Sequence, residues 1–204
     1  MTSQAPAVVV VIATIACGSL SLAAQEPAPG APQTAVNQDG VNEYGAATKA
    51  FLDRLHEYMT FHNNVEKMVP PITQTSSPEE IAKREAALGA TLIKQRPDAK
   101  EGDFFIKEYQ PHLIKIIRED FVSRPMADRK ALIVELPTDV KIGVNMVYPP
   151  TLPLATFPGK LLKALPELPK GLEYRIVGQH LILRDVTGNV IVDILRNVFP
   201  IPRS

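Results

Sequence analysis

The segment 172–185 (LEYRIVGQHLILRD) constrains this chain more than any other, because two alternating runs are separated only by Gly178-Gln179. A two-residue loop with glycine first specifies a type II′ hairpin turn, whose twist matches that of the flanking strands. The turn fixes the register, with Val177 opposite His180, Ile176 opposite Leu181, Tyr174 opposite Leu183 and Glu173 opposite Arg184. One face is then Tyr174, Ile176, Leu181 and Leu183, and the other holds Glu173, Arg175, His180 and Arg184. A slip of one residue would mix the two faces. The four residues Val186, Thr187, Gly188 and Asn189 predict a second turn into 190–195, which sets Val192 opposite Leu183 and Ile194 opposite Leu181, with Asp193 outward near Arg184. A three-stranded meander follows, and the alternating stretch 140–147 is a candidate fourth strand.

Upstream the period changes to that of helices. Tyr44, Phe51, Leu55, Tyr58, His62 and Val65 recur at spacings of three and four, predicting a helix to about Met68, before Pro70-Pro71. Ser77, Pro78, Glu79 and Glu80 have the order of an N-cap, a first-turn proline and acids at the positive end of a helix dipole. That helix closes before Pro97. A third stripe, Phe104, Phe105, Tyr109, Leu113, Ile116, Ile117 and Phe121, contains Pro111, which either kinks one helix or starts its second half. Residues 126–136 read as a short fourth helix giving way to a strand at 131–134. Between Tyr148 and Pro169 six prolines enclose one helical candidate at 158–165, a stiff path whose leucines require a packing partner. The expected fold is α+β, with three to four helices (43–136) packed on a small antiparallel meander after the proline-rich connection (137–200).

The 22 basic and 22 acidic residues cancel only in sum, since every base lies at or after Lys49. The first 48 residues carry Glu26, Asp39 and Glu43, and within them 7–16 (AVVVVIATIA) is an apolar run interrupted only by Thr14. A ten-residue run is too short for a spanning helix, which needs roughly 20. The run therefore reads as an export signal over 1–24, cleaved after Ala23 or Ala24, with either the α-amino group as its only positive charge or a basic n-region upstream of the assigned start. Cys17 in Thr14-Ile15-Ala16-Cys17-Gly18 gives a second reading, cleavage before an acylated cysteine. Membrane contact is expected only through that lipid or a retained signal segment. Residues 25–42 are rich in Pro, Ala, Gly and Gln and read as a flexible tether. What remains is a cysteine-free domain expected in the periplasm or secreted, with an envelope protein as a possible partner. Its near-neutral charge argues against nucleic acid, whose binding proteins carry a basic surface.

No Gly-rich phosphate loop, Gly-x-Ser-x-Gly elbow, paired-cysteine spacing or His-Glu-x-x-His occurs, so no catalytic or cofactor motif is assigned. His62 precedes Glu66 by four and Glu108 precedes His112 by four, so each pair would share a helix face. Two such faces could form a transition-metal site, and metal-assisted hydrolysis would then be the alternative to a non-catalytic binding or structural role. The bland reading of each is a histidine bonded within the core. Glu173, Arg175, Arg184 and Asp193 could grip a carboxylate or phosphate, or form an ordinary charge ladder on a solvated sheet.

The stretches VNMVYPPTLPLATFP (144–158), LLKALPELPKGLEYRIVGQHLILRD (161–185), LHEYMTFHNNVEK (55–67) and GDFF (102–105) resemble an uncharacterised family of bacterial exported proteins. That resemblance implies export and no mechanism. The hairpins at 171–193 are also similar to the tail module of RcnB-type periplasmic nickel and cobalt homeostasis proteins, which implies a small periplasmic β module and transfers no metal ligand.

Overall fold

Four antiparallel strands in the order β1-β4-β3-β2 carry the core: β1 (Met146–Val147), β2 (Leu172–Val177), β3 (His180–Asp185) and β4 (Val190–Leu195). The computed structural model describes residues 38–73, 77–133 and 140–201. Before the sheet come α1 (Gln38–Glu66), α2 (Pro78–Gln95), α3 (Gln110–Ser123) and α4 (Met126–Leu132), and α5 (Gly159–Ala164) lies in the proline-rich connection. The chain is thus α+β, helices first and sheet last. The export signal and Cys17 lie outside the described residues, as do 134–139, where the strand expected at 131–134 would have ended. Among the described residues no helix is long and apolar enough to cross a membrane.

The hairpin register is the one its turn dictates. Val177 pairs with His180, Ile176 with Leu181, Tyr174 with Leu183 and Glu173 with Arg184. Gly178 has φ 55° while Gln179 stays out of the left-handed region, the combination of a type II′ turn. The second loop also has four residues, with Asn189 left-handed at φ 53°. Beyond it the register departs from expectation. Asp185 pairs with Val190 and Arg184 with Ile191, but Leu183 then faces Asp193 and Leu181 faces Leu195. A β-bulge at Val192 inserts one residue, so every β4 side chain beyond it changes face.

The helical elements follow their local chemistry. Ser77 and Glu80 form a reciprocal capping box, Ser77 N–H donating to Glu80 and Glu80 N–H to Ser77 Oγ, with Pro78 in the first turn. Pro111 lies in the first turn of α3, so it starts the helix, and 104–109 precede it as turns. Helix α1 begins at Gln38, inside the stretch expected to be tether. The strand expected over 140–147 shortens to Met146–Val147, because Asn145 takes a left-handed conformation (φ 60°). Its Nδ2 donates to the carbonyls of Ile93 and Arg96, satisfying the open end of α2.

Both sheet faces are covered. On the helix side Leu181, Leu183, Val192, Leu195 and Tyr174 pack with Phe51, Leu55, Phe104, Phe105 and Leu113. On the outer side Ile182, Ile191, Ile194 and Val177 pack with Tyr148 and Leu152, and Val140, Ile142 and Val144 lie against them. The alternation at 140–147 therefore reports a half-buried path across the sheet. At α2 the approach is backbone to backbone, since a Cβ on Gly89 would collide with the carbonyl oxygen of Gly188. An alanine in a helix interior normally gains about 1 kcal/mol over glycine. Here Gly89→Ala is expected to lose about 1–3 kcal/mol by overpacking, measured as a lower denaturant midpoint at unchanged slope.

Candidate functional site

Helix α1 presents Tyr58 and His62 one turn apart on the face that meets the end of β3. There Asp185 is fully buried and His62 is 3% exposed. Asp185 Oδ2 accepts from Tyr58 Oη (2.8 Å) and His62 Nδ1 (2.7 Å), and Oδ1 accepts from the Gly188 amide (2.9 Å) and Thr187 Oγ1 (3.1 Å). Burial alone would raise the Asp185 pKa, but the bonds from His62, Gly188 and Tyr58 outweigh it and hold the carboxyl below its ordinary value. The bond to Asp185 is likewise the main reason that His62 is held above its ordinary value, against the opposing effect of burial. Burial, reinforced by the nearby carboxylate, pushes the Tyr58 hydroxyl far upward, so it stays a donor.

His62 Nε2 lies 3.3 Å from Thr187 Oγ1, which places a hydroxyl, an imidazole and a carboxylate in the order of a nucleophilic relay. The proton inventory runs against that use. With His62 charged, both ring nitrogens donate, Nδ1 to Asp185 and Nε2 toward the Thr187 oxygen. The Thr187 proton is directed at Asp185 Oδ1. In that state no nitrogen is free to take that proton, and the constellation is a clamp between α1 and the β3–β4 turn. Glu66 stands 3.9 Å from Nε2 and is held by Arg84 of α2 at 2.6 Å.

The metal arrangement expected from His62, Glu66, Glu108 and His112 does not assemble. His112 stacks on Tyr44, 4.7 Å between ring centroids. Tyr44 and His62 are 18 residues apart on α1, about 27 Å along the axis. Glu108 is exposed and precedes α3, so it shares no helix face with His112. Among the described residues no group of three or more His, Cys, Asp or Glu is placed to hold a metal ion.

Asp193 also leaves its expected place. The bulge turns it from the outer face to the helix face, where it is fully buried. Its oxygens accept from the backbone amides of Gly102 (2.9 Å), Phe104 (2.8 Å), Phe105 (2.8 Å) and Ile194 (2.7 Å). Burial is the larger influence and holds its pKa above the ordinary value, with the four amides opposing. The other three expected partners stay together. Glu173 binds Arg175 through both oxygens (2.7 and 2.6 Å) and Arg184 at 2.6 Å. The two guanidiniums outweigh burial and hold the Glu173 carboxyl low. This ladder is covered rather than solvated, since Arg184 is 7% exposed, bonds Asn189 Oδ1 and lies 5.1 Å from the Tyr148 ring centroid.

Arg175 continues outward to the carbonyl of Ala155 (2.7 Å), while two residues on Phe157 meets the Tyr174 ring on the opposite face. The connection therefore touches both faces at the edge of β2. At that edge a groove of ≈ 800 Å³ lies between α5, the 165–168 segment and β2. Leu154, Phe157, Leu162, Leu165, Leu168, Leu172 and Tyr174 line it, with Lys163, Glu167, Glu173 and Arg175 as its charged groups. A second hollow, of ≈ 70 Å³, lies against Tyr148, Leu152 and Ile176. The leucines of the connection signalled that something packs there. That some of them line an open groove was not visible in spacing alone. No family model, curated protein or solved structure matches the chain.

The Asp185 clamp gives a stability prediction. Asp185→Asn leaves the buried His62 charge uncompensated and is expected to cost about 3–5 kcal/mol, read from urea unfolding. Because the folded His62 pKa is raised, its contribution is complete below the ordinary value of 6.5 and is lost as pH rises through the folded value. The Tm difference between the wild type and His62→Gln should shrink over that rise. A difference that grows with pH would contradict the assignment.

Proposed function

We propose that this chain is an exported, non-catalytic binding module that works at the cell envelope, with the groove between α5 and β2 as its binding surface. One observation carries the reading. The side chains best suited to chemistry, His62, Asp185 and Asp193, are buried and committed to internal bonds, while a groove beside β2 leaves apolar side chains open. Leu154 and Leu162 on its rim are 55% and 49% exposed, and the groove lies within the roughly 300–1,000 Å³ range of ligand sites. Export rests on the apolar run at 7–16 and on the resemblance to exported proteins.

The reading separates residues that hold the fold from residues that bind. Immobilised protein should retain an envelope component from detergent extracts. Retention should be lost in the Leu154→Asp, Leu162→Asp double variant at unchanged Tm, and kept in His62→Gln assayed below its lower Tm. Loss of retention in His62→Gln with the fold intact would place function at the buried cluster and contradict the proposal.

A further inference from the structure

We propose that a recess where α1, the end of α2 and the 103–104 turn meet binds an α-amino acid with an aromatic or aliphatic side chain, its carboxylate on Arg96. The observation that carries this is an arginine without an acceptor. Arg96 is half-buried, its Nη1 is buried with no partner, and its guanidinium makes no hydrogen bond or ion pair among the described residues. Every other described arginine except the exposed Arg118 donates to a protein oxygen. The Arg96 guanidinium lies over the rings of Tyr58 (5.2 Å) and Phe104 (5.6 Å), at the C-cap of α2. Ring faces and the negative end of the helix favour a cation there, but neither supplies lone pairs to its N–H groups. A carboxylate matches that planar fork.

The rest of the lining selects a zwitterion. Arg54 and Arg96 stand against Glu57 and Asp103, so the recess is neutral, and a dianion such as phosphate would meet two carboxylates. Asp103 is engaged, accepting from the Lys100 amide through Oδ2 and from Arg54 through its carbonyl. Glu57 is exposed and forms no ion pair among the described residues, which leaves it for an ammonium. The volume is ≈ 340 Å³, at the small end of ligand sites, so the ligand's two charges must lie close together, as on one α-carbon. Tyr58, Phe61 and Phe104 offer aromatic walls to its side chain. Two of those walls are fixed in advance, Tyr58 through its hydroxyl bond to Asp185 and Phe104 through its amide bond to Asp193, so binding orders little. None of these residues lines the β2 groove, and the inference stands apart from the reading given to it.

The test is calorimetric titration of the full chain with L-phenylalanine, and with 3-phenylpropionate and phenethylamine, each of which lacks one of its charges. The expected result is saturable one-to-one binding of phenylalanine, with either analogue about tenfold weaker for the lost charge-assisted bond. Arg96→Lys keeps a cation over the rings and loses the fork, so phenylalanine should bind about tenfold more weakly at unchanged Tm. Glu57 is exposed, so Glu57→Gln can be made without disturbing the core, and it should bring phenylalanine to the level of phenylpropionate. Equal affinity of the wild type for phenylalanine and phenylpropionate would overturn the zwitterion. Wild-type affinity in Arg96→Lys would overturn the role of Arg96. If phenylalanine gives no saturable binding at millimolar concentration, the unmet donor holds only water and the site is overturned.

Discussion

Asp185 is the one group on which the joining of helices to sheet depends. It has no exposed surface, yet it is held ionised by an imidazolium, a phenol, a threonine hydroxyl and an amide, drawn from α1 and the β3–β4 turn. Taking a carboxylate out of water costs several kcal/mol unless its lone pairs are filled by donors. Here they are, so docking the two halves elsewhere would strand the charge. Burial of apolar faces supplies most of the driving force, but it is non-directional. The clamp selects the orientation in which α1 crosses the end of β3, and the close approach of Gly89 to Gly188 depends on the same alignment.

Asp193 performs a parallel task with backbone donors. Three amides of 102–105 converge on it, and that turn carries Phe104 and Phe105 into the core against Tyr58 and Phe51. The bulge at Val192 is what brings Asp193 to that side of the sheet. A regular strand would leave these three amides, two of them buried, without that acceptor and a carboxylate on the outer face. With His62, Asp185 and Asp193 engaged in this way, the groove beside β2 is the surface proposed to bind.

What could be read from the sequence was what is decided locally. The glycine-first turn fixed one hairpin because two residues leave no other register, and Ser77 with Glu80 marked the start of α2 because capping is complete within one turn. Pro111 was ambiguous because proline is compatible with a kink or a first turn, and only the packing of Phe104 and Phe105 as a separate turn decides between them. The bulge was not legible at all. Its cause is an acceptor needed by amides some 90 positions away along the chain, and nothing in the alternation of 190–195 encodes that demand. The pairing of His62 with Asp185 is equally remote in sequence. The His–Glu spacings suggested a metal because they are local, and they failed because one face of a long helix is not one place in space. Of the charge ladder, Glu173, Arg175 and Arg184 were found because their register was fixed, and Asp193 was misplaced because its register was not.

The account stands on His62 being a buried cation that holds the fold. Nitrogen-15 NMR of the imidazole across a pH series measures this directly. The account predicts that both ring nitrogens are protonated at neutral pH, that the ring titrates above 6.5, and that Asp185→Asn lowers that midpoint. A neutral ring with an unprotonated Nε2 facing Thr187 would contradict it, because His62 would then be a base beside a hydroxyl rather than part of a clamp.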